Sequence, residues 1–414
     1  MSAAPREEMP PLAPPGPTLG PALTATPPLP LPRPPDPARA LEENPPPACS
    51  PVTAPVAAGL KPLLARLQSE ARPEALPSLG DRLAVAARGG AAALQQALPT
   101  ITTPGGRALL AEASGSAGDP CLVPLLIQLV RAEDGLPAAT AARVLAQGDH
   151  PAGWHAAALY AARSQQPDAR RLAGLLGEQA AQEGDRAREI VPLLVWLALP
   201  PRAAILREAA TASLARVGGP EIRARLREIL EGDDDPLVRL RAAEGLATSP
   251  LPEEIPVFSR ALNDVHPTVA AAAAAALGRT GRPAAARPAL TGYLGSGRRE
   301  AIEPVLRALA VLGDREALPA IRPLLDDRDG YLQVAAIDAL VQLGGDPAAL
   351  APIRALLQSP KPSVRRRAAL ALGELGQREV RPLLEELGRR DPDPRVQEAA
   401  RESLTRLAGE GSSP

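Results

Sequence analysis

Aromatic side chains are scarce in this 414-residue sequence: two Trp, three Tyr and one Phe, at Trp154, Trp196, Tyr160, Tyr293, Tyr331 and Phe258. The hydrophobic share is still 45%, so the core must be built from Ala, Leu, Val and Ile. Such a core suits closely packed helices and suits sandwiches and barrels poorly, because strands favour aromatic and β-branched residues. Cysteine is also scarce. Cys49 and Cys121 stand alone, neither in a spaced motif, so neither a disulfide framework nor a cysteine-type zinc site is expected. Lysine occurs only at Lys61 and Lys361, and the net charge is −1, which argues against a general polyanion binder. No charged-then-apolar leader and no run of 18 apolar residues is present. The expectation is a soluble, cytoplasmic chain with no membrane insertion.

Proline, by contrast, is concentrated. Nineteen of the first 57 residues are Pro, as in PPLPLPRPPDP (27–37) and NPPPACSP (44–51). Proline removes backbone donors and fixes φ, so residues 1–57 are expected to form no helix or sheet and to be a disordered tail of polyproline II character. The tail reads first as a linker and second as a docking segment for a proline-binding domain. No Arg or Lys stands at the offsets that usually orient such ligands.

From residue 58 the pattern is helical, and it repeats. Stretches such as LARVG (214–218), LGRTG (277–281), LAVLG (309–313), LVQLG (340–344) and LGELG (372–376) recur, with LATSP (246–250) filling a gap. Their leading leucines and Leu404 are spaced by 31 or 32 residues. Eight residues before each leucine stands Leu206, Val238, Val269, Ala301, Leu332, Val364 or Val396. Apolar residues at offsets 0, +4, +8 and usually +11 draw one stripe on a helix, and Gly closes most copies. A second helix then carries a proline near its start, at Pro256, Pro288, Pro319, Pro352 and Pro382. Each unit is therefore predicted to be two antiparallel helices of about 10–14 residues.

Residues 201–414 hold the regular repeats, with the polar VQEAARESLTRLAG (396–409) as a C-terminal cap. Residues 58–200 hold looser copies: GLKPLLARL (59–67), GRALLAEA (106–113), DPCLVPLLIQLV (119–130), ATAARVLAQG (139–148), the pair HPAGWHAAALYAARSQQPDARRLAGLLGEQAAQ (150–182) and REIVPLLVWLAL (188–199). A lone pair cannot bury both faces of its stripe, but a stacked pair can. Each buried Leu or Val then contributes roughly 1.5–3 kcal/mol, and stability sums over units and interfaces.

Five places before each stripe stands Pro201, Asp233, Asp264, Ser296, Asp327, Ser359 or Asp391. Asp and Ser close turns and satisfy the free N–H groups of a helix start. Recurrence once per unit, with no His or Glu at ligand spacing, favours this capping role over a metal site.

The unit D-x-x-x-x-V-R-x-x-A-x-x-A-L-x-x-L-G resembles the HEAT repeat, particularly the short form first associated with phycobilisome lyases. The resemblance is strong over 201–408, weak over 58–200 and absent from 1–57. It implies an all-α, right-handed superhelix whose second helices line a concave, protein-binding surface. It also implies a ladder between neighbouring units, from Arg207, Arg239 and Arg365 to Asp233, Asp264, Asp327 and Asp391. Ala270, Ile302, Gln333 and Gln397 depart from the pattern, so the ladder should be broken in places.

No catalytic, cofactor or metal site is expected. His150 and His266 precede Pro at helix starts, and His155 lies on an Ala-rich helix. None is followed by Glu, so the His–Glu iron ligands of HEAT-like hydroxylases are missing. No phosphate loop or nucleophile elbow appears. The exposed side of the stripe helices should carry Glu208, Arg241, Glu244, Glu303, Arg307, Asp338, Arg366, Arg367, Glu398 and Glu402. Glu303, Arg307, Asp338, Arg365, Arg366 and Arg367 are the candidate partner-binding residues. The favoured reading is a non-catalytic scaffold for another protein. The alternatives are a bilin-lyase-like, ligand-handling subunit and a weak nucleic-acid binder acting through Arg365–Arg367. Nucleic acid is disfavoured by the missing stacking residues and the net charge.

Overall fold

The computed structural model describes residues 36–43, 45, 62, 63, 65, 91–132, 134–164, 167–182 and 184–409. All of them belong to one compact unit, residues 33–414. They contain no strand. The helices are α1 (Pro37–Glu43), α2 (Ala91–Ala97), α3 (Pro104–Ala117), α4 (Val123–Ala132), α5 (Leu136–Gln147), α6 (Pro151–Arg163), α7 (Asp168–Ala180), α8 (Asp185–Leu197), α9 (Ala204–Val217), α10 (Pro220–Gly232) and α11 (Pro236–Ala247). They continue as α12 (Ile255–Ala261), α13 (Pro267–Arg279), α14 (Pro283–Gly295), α15 (Ile302–Leu312), α16 (Leu318–Ile321), α17 (Gly330–Gln342), α18 (Leu350–Ala355), α19 (Pro362–Glu374), α20 (Arg381–Arg390) and α21 (Pro394–Gly409).

From α3 onward the helices alternate between two layers. The odd-numbered helices are the stripe helices, each packed on the next odd one. The even-numbered helices form the other layer, each packed on the odd helix that follows it. The stripe is the core. Leu206, Val238, Val269, Ala301, Leu332, Val364 and Val396 are all buried, as are Leu214, Leu246, Leu277, Leu309, Leu340 and Leu372. Leu404 on α21, the last described helix, is only half-buried.

The odd helices approach one another more closely than the even ones do, and small residues permit it. A Cβ added at Gly278 would lie 2.9 Å from Ala308 Cα, and one at Gly245 would lie 2.5 Å from Ala215 Cβ. At Gly177 and Gly373 the facing residue is a serine, with Cβ at 2.6 Å in each case. There Ser213 donates to the Ala173 carbonyl at 3.0 Å and Ser403 to the Ala369 carbonyl at 2.9 Å. In both places the acceptor lies one turn before the glycine, so the same clamp closes α7 on α9 and α19 on α21. A stack whose one layer is tighter bends toward that layer. The inner face therefore belongs to the stripe helices, which come first in the unit as framed from sequence, not to the second helices.

Two other expectations change. The second helices are not all 10–14 residues long: α16 ends at Ile321 and passes into a 3₁₀ turn, Arg322–Asp326. Pro323 has no N–H to continue the α-helical ladder, which explains the break. Residues 1–57 were expected to form no helix, yet Pro37–Glu43 is helical. This PARALEE stretch has proline only at its first position. Asp36 accepts from the Ala38 N–H at 3.0 Å, and Arg39 bonds Glu43 one turn on at 2.7 Å. Leu41 and Pro37 are buried, with α1 packed on α6. The rest of the expected tail, apart from Asp36 and Pro45, lies outside the described residues, as does most of GLKPLLARL.

Candidate interaction surface

The Asp–Arg ladder crosses the turns that lead into the odd helices. Arg207 Nε and Nη2 donate to the two carboxylate oxygens of Asp233, both at 2.8 Å. Arg239 pairs with Asp264 at 2.7 and 2.8 Å, and Arg365 pairs with Asp391 at 2.8 Å twice. The third nitrogen of each arginine donates to a carbonyl before its own helix: Arg202, Asp233 and Ser359, at 2.6, 2.8 and 2.9 Å. Each arginine thus ties a turn in its own unit to the aspartate of the next. Planar, two-pronged pairing of this kind is what a guanidinium does best.

Each ladder aspartate also accepts the N–H two residues on, at Asp235, His266, Asp329 and Asp393, within 2.7–2.9 Å. These aspartates close a turn just before the helix. The true helix caps are the next acids along: Asp235 accepts from Leu237, Asp329 from Tyr331 and Asp393 from Arg395. The sequence DPDPR therefore splits two jobs, with Asp391 for turn and ladder and Asp393 for the cap.

Arg365 beside Asp391 and Arg299 beside Asp327 hold those carboxyls below the usual carboxylate range, against burial. Burial pushes Asp264 up, but the bonds from Arg239 and the His266 N–H outweigh it and leave it low.

The departures at Ala270, Ile302, Gln333 and Gln397 do not all break the ladder. Arg299, from the preceding loop, reaches Asp327 at 2.8 and 3.0 Å in place of a residue at 302. Arg298 bonds the carbonyls of Asn263 and Asp264 at 2.7 and 2.8 Å. Gln333 and Gln397 keep only the carbonyl half, to Leu325 at 2.8 Å and Asp391 at 2.7 Å.

The inner sides of the odd helices carry a separate row of charges that bridges successive helices. Arg143 of α5 pairs with Glu112 of α3. Glu208 of α9 lies between Arg170 of α7 at 2.6 Å and Arg241 of α11 at 3.0 Å, and Arg241 also bonds Glu244 at 2.8 Å. Arg367 of α19 bridges Asp338 of α17 and its own Glu374. Glu208 was expected to be solvated; its side chain is instead buried beneath the two arginines that flank it.

A groove of about 650 Å³ opens at the Glu112–Arg143 end of this row, and two more open further along it. One, of about 620 Å³, runs over α7, α9 and α11 beside Arg170, Glu208 and Arg241. The other, of about 170 Å³, lies between α15 and α17 and gathers Glu303, Arg307, Tyr331 and Asp338. Arg307 pairs with Glu303 at its rim, and Tyr331 is 63% exposed.

Of the six candidate partner-binding residues, Glu303, Arg307, Asp338 and Arg367 thus come together on one face. Arg366 is exposed on α19. Arg365 is not part of the face, because the ladder holds it at the turn. With Arg365 and Arg367 both tied to carboxylates, residues 365–367 do not present a free basic cluster.

A second ladder, on the even layer, had not been anticipated. Arg223 of α10 pairs with Glu254 at 2.5 and 3.0 Å, Arg287 of α14 with Asp314 at 2.7 Å, and Arg322 with Asp346 at 2.8 and 3.0 Å. The three carboxylates are buried. Acidic residues near the start of successive even helices were the available signal.

His150 caps α6, accepting from the Ala152 N–H at 3.2 Å. His266 precedes α13 and contacts Thr268 at 2.7 Å, while His155 contacts the Pro151 carbonyl at 2.8 Å. No group of His, Cys, Asp and Glu among the described residues is arranged to hold a metal ion. No described helix is long and apolar enough to cross a membrane. Against the expectation of no disulfide, Cys121 is disulfide-bonded.

Paired helices in two layers, locked by a recurring Asp–Arg ladder, define a helical-repeat solenoid. A family model described as HEAT repeats matches residues 191–272, 223–303, 255–341 and 322–405. The chain belongs to the HEAT repeat family. Among solved structures it is similar to the karyopherin Kap121p (14% identity, 90% of this chain and 47% of that one, TM-score 0.51). It is also similar to importin beta (13% identity, 85% and 56%, TM-score 0.50). A further similarity is to YibA of E. coli, at 18% identity over 72% and 96% of the two chains, with a TM-score of 0.40. The chain spans about half the length of the first two. No curated protein matches it.

Proposed function

We propose that the chain is a non-catalytic scaffold that binds another protein along the inner face of its odd-numbered helices. The observation that carries this reading is the row of cross-helix ion pairs with Tyr331 standing free among them. Charges already paired within the scaffold stay in fixed positions, so a partner meets a preorganised polar surface that sets register and on-rate. Tyrosine is among the residue types enriched at the energetic centre of such contacts. The similar Kap121p is bound to the extreme C-terminus of the phosphatase Cdc14p, and a terminal segment of a partner would suit a grooved face. The lyase-type reading has less in its favour, since among the described residues the two larger grooves of this row are lined by no Phe, Trp or Tyr and the smaller one only by Tyr331.

The test is affinity capture from the native host with the full chain and with Tyr331→Ala combined with Asp338→Arg. A stoichiometric partner retained by the first and lost by the second, at unchanged helical content, supports the reading. A partner held equally by both, or none at all, overturns it.

A further inference from the structure

The groove over α7, α9 and α11 sets the guanidiniums of Arg170, Arg216 and Arg241 against the carboxylates of Glu208 and Glu244. Glu208 is buried and shared between Arg170 and Arg241, and Glu244 is taken by Arg241. Among the described residues, Arg216 is the one charged side chain of this groove that joins no ion pair. It is held in place all the same. Its Nη2 donates to the Ser213 hydroxyl at 3.2 Å, the same hydroxyl that clamps α9 on α7. That nitrogen lies 3.3 Å from where a Cβ on Gly177 would stand, so the missing side chain leaves the guanidinium room to cross toward α7. A guanidinium carries five N–H donors in a fixed fork, and the Ser213 bond uses one of them.

The other two grooves of the row have the opposite balance. One sets Arg143 against Glu112, Asp119 and Asp149, the other Arg307 against Glu303 and Asp338. The positive excess along the row thus falls at α7–α11. Gly174, Ala212 and Gly245 line the groove there, and side chains that small let a partner's main chain come close to the guanidiniums.

Resting on the scaffold reading above, we infer that this groove takes an acidic segment of the partner protein, with Arg216 pairing two-pronged to an Asp or Glu carboxylate. The fork is positioned before binding, so little side-chain freedom is lost when the pair forms. Arg170 and Arg241 add attractive field without leaving Glu208. A nucleic-acid strand fits the groove less well. No Phe, Trp or Tyr lines it for bases to stack on, and the exposed Glu244 opposes a run of phosphates.

The probe is a phage-displayed library of random fifteen-residue peptides selected on the full chain. The most enriched peptide is then made with a fluorescein label and titrated by fluorescence anisotropy. Fifteen extended residues span up to about 50 Å, enough to cross the four helix steps of about 8–10 Å each from Arg216 on α9 to Tyr331 on α17. Enriched peptides should share an Asp or Glu. Changing that residue to Asn or Gln should weaken binding roughly tenfold or more, the scale of a hydrogen bond to a charged group. Arg216→Ala should weaken it by the same factor, and Arg216→Lys, which keeps the charge but not the fork, should restore only part. The peptide and protein changes combined should cost no more than either alone. Peptides with no shared acid, a labelled peptide held equally by Arg216→Ala, or its displacement by single-stranded DNA at about 0.15 M salt would each overturn the inference. If that peptide is still lost from Tyr331→Ala combined with Asp338→Arg, the scaffold reading survives; a chain that enriches no peptide overturns both.

Discussion

Replacing Asp233 by Ala removes the acceptor for the most buried arginine of the ladder. Arg207 and Asp233 expose only 7% and 3% of their side chains. The substitution deletes two 2.8 Å bonds and also the turn bond to the Asp235 N–H at 2.9 Å. Arg207 keeps the Arg202 carbonyl at 2.6 Å and a contact with Asp234, whose side chain is 86% exposed. A buried charge that has lost its partner costs about 3–5 kcal/mol. An exposed pair such as Arg381–Glu385, with 56% and 41% exposed side chains, should cost roughly 0.3–0.5 kcal/mol when broken. Urea unfolding followed by circular dichroism measures both. The effect should also be local, because units couple to their neighbours, so the transition of Asp233→Ala should broaden or split. Removing both charges with Arg207→Met and Asp233→Ala should recover much of the loss, giving a large coupling energy in the double-mutant cycle. A loss below about 1 kcal/mol for Asp233→Ala, or full additivity in the cycle, would refute the view that the ladder is a buried structural tie.

Gly278→Ala should destabilise by about 1–3 kcal/mol, since its Cβ would meet the Ala308 backbone in a packed interior that resists insertion. Gly174→Ala, in the middle of α7 with nothing within 4 Å of the new Cβ, should instead stabilise by about 0.4–1 kcal/mol; thermal melts of the two variants check the opposite signs. Asp329→Ala should cost about 1 kcal/mol through loss of the α17 cap, read as a lowered urea midpoint. Acid should weaken the ladder. Asp327 and Asp391 have folded pKa values below the ordinary one, so their contribution is complete above about pH 4, the unfolded value. It is lost as the pH falls through the lower folded values. The stability gap between the native chain and Asp391→Asn, measured in urea at pH 7, should therefore close on going down to about pH 2.

The repeat period was legible because one stripe position recurs every 31 or 32 residues, from Leu206 to Val396, and burial must fall on the same face in each unit. The ladder was legible for the same reason: Arg207, Arg239 and Arg365 hold one register. Arg299 escaped because it stands three places before Ile302 and reaches Asp327 from a loop, where no periodic position marks it. The even-layer pairs escaped because Arg223, Arg287 and Arg322 keep no common distance from Glu254, Asp314 and Asp346. Glu208 looked like an ordinary surface charge, since its burial is made by arginines from two other helices. Helix α1 was hidden by the proline content around it; only the short PARALEE stretch escapes that composition.

The account rests on neighbours supplying the burial that no helical pair achieves alone. Hydrogen exchange read by mass spectrometry on a chain ending before Arg378, and so lacking α20 and α21, tests this most directly. Stripping α21 uncovers Val364, Leu372 and Gly373 of α19. Amide protection should then fall sharply in α18 and α19, less in α16 and α17, and not at all in α9–α12. Protection unchanged in α19, or lost uniformly from α9 onward, would contradict it.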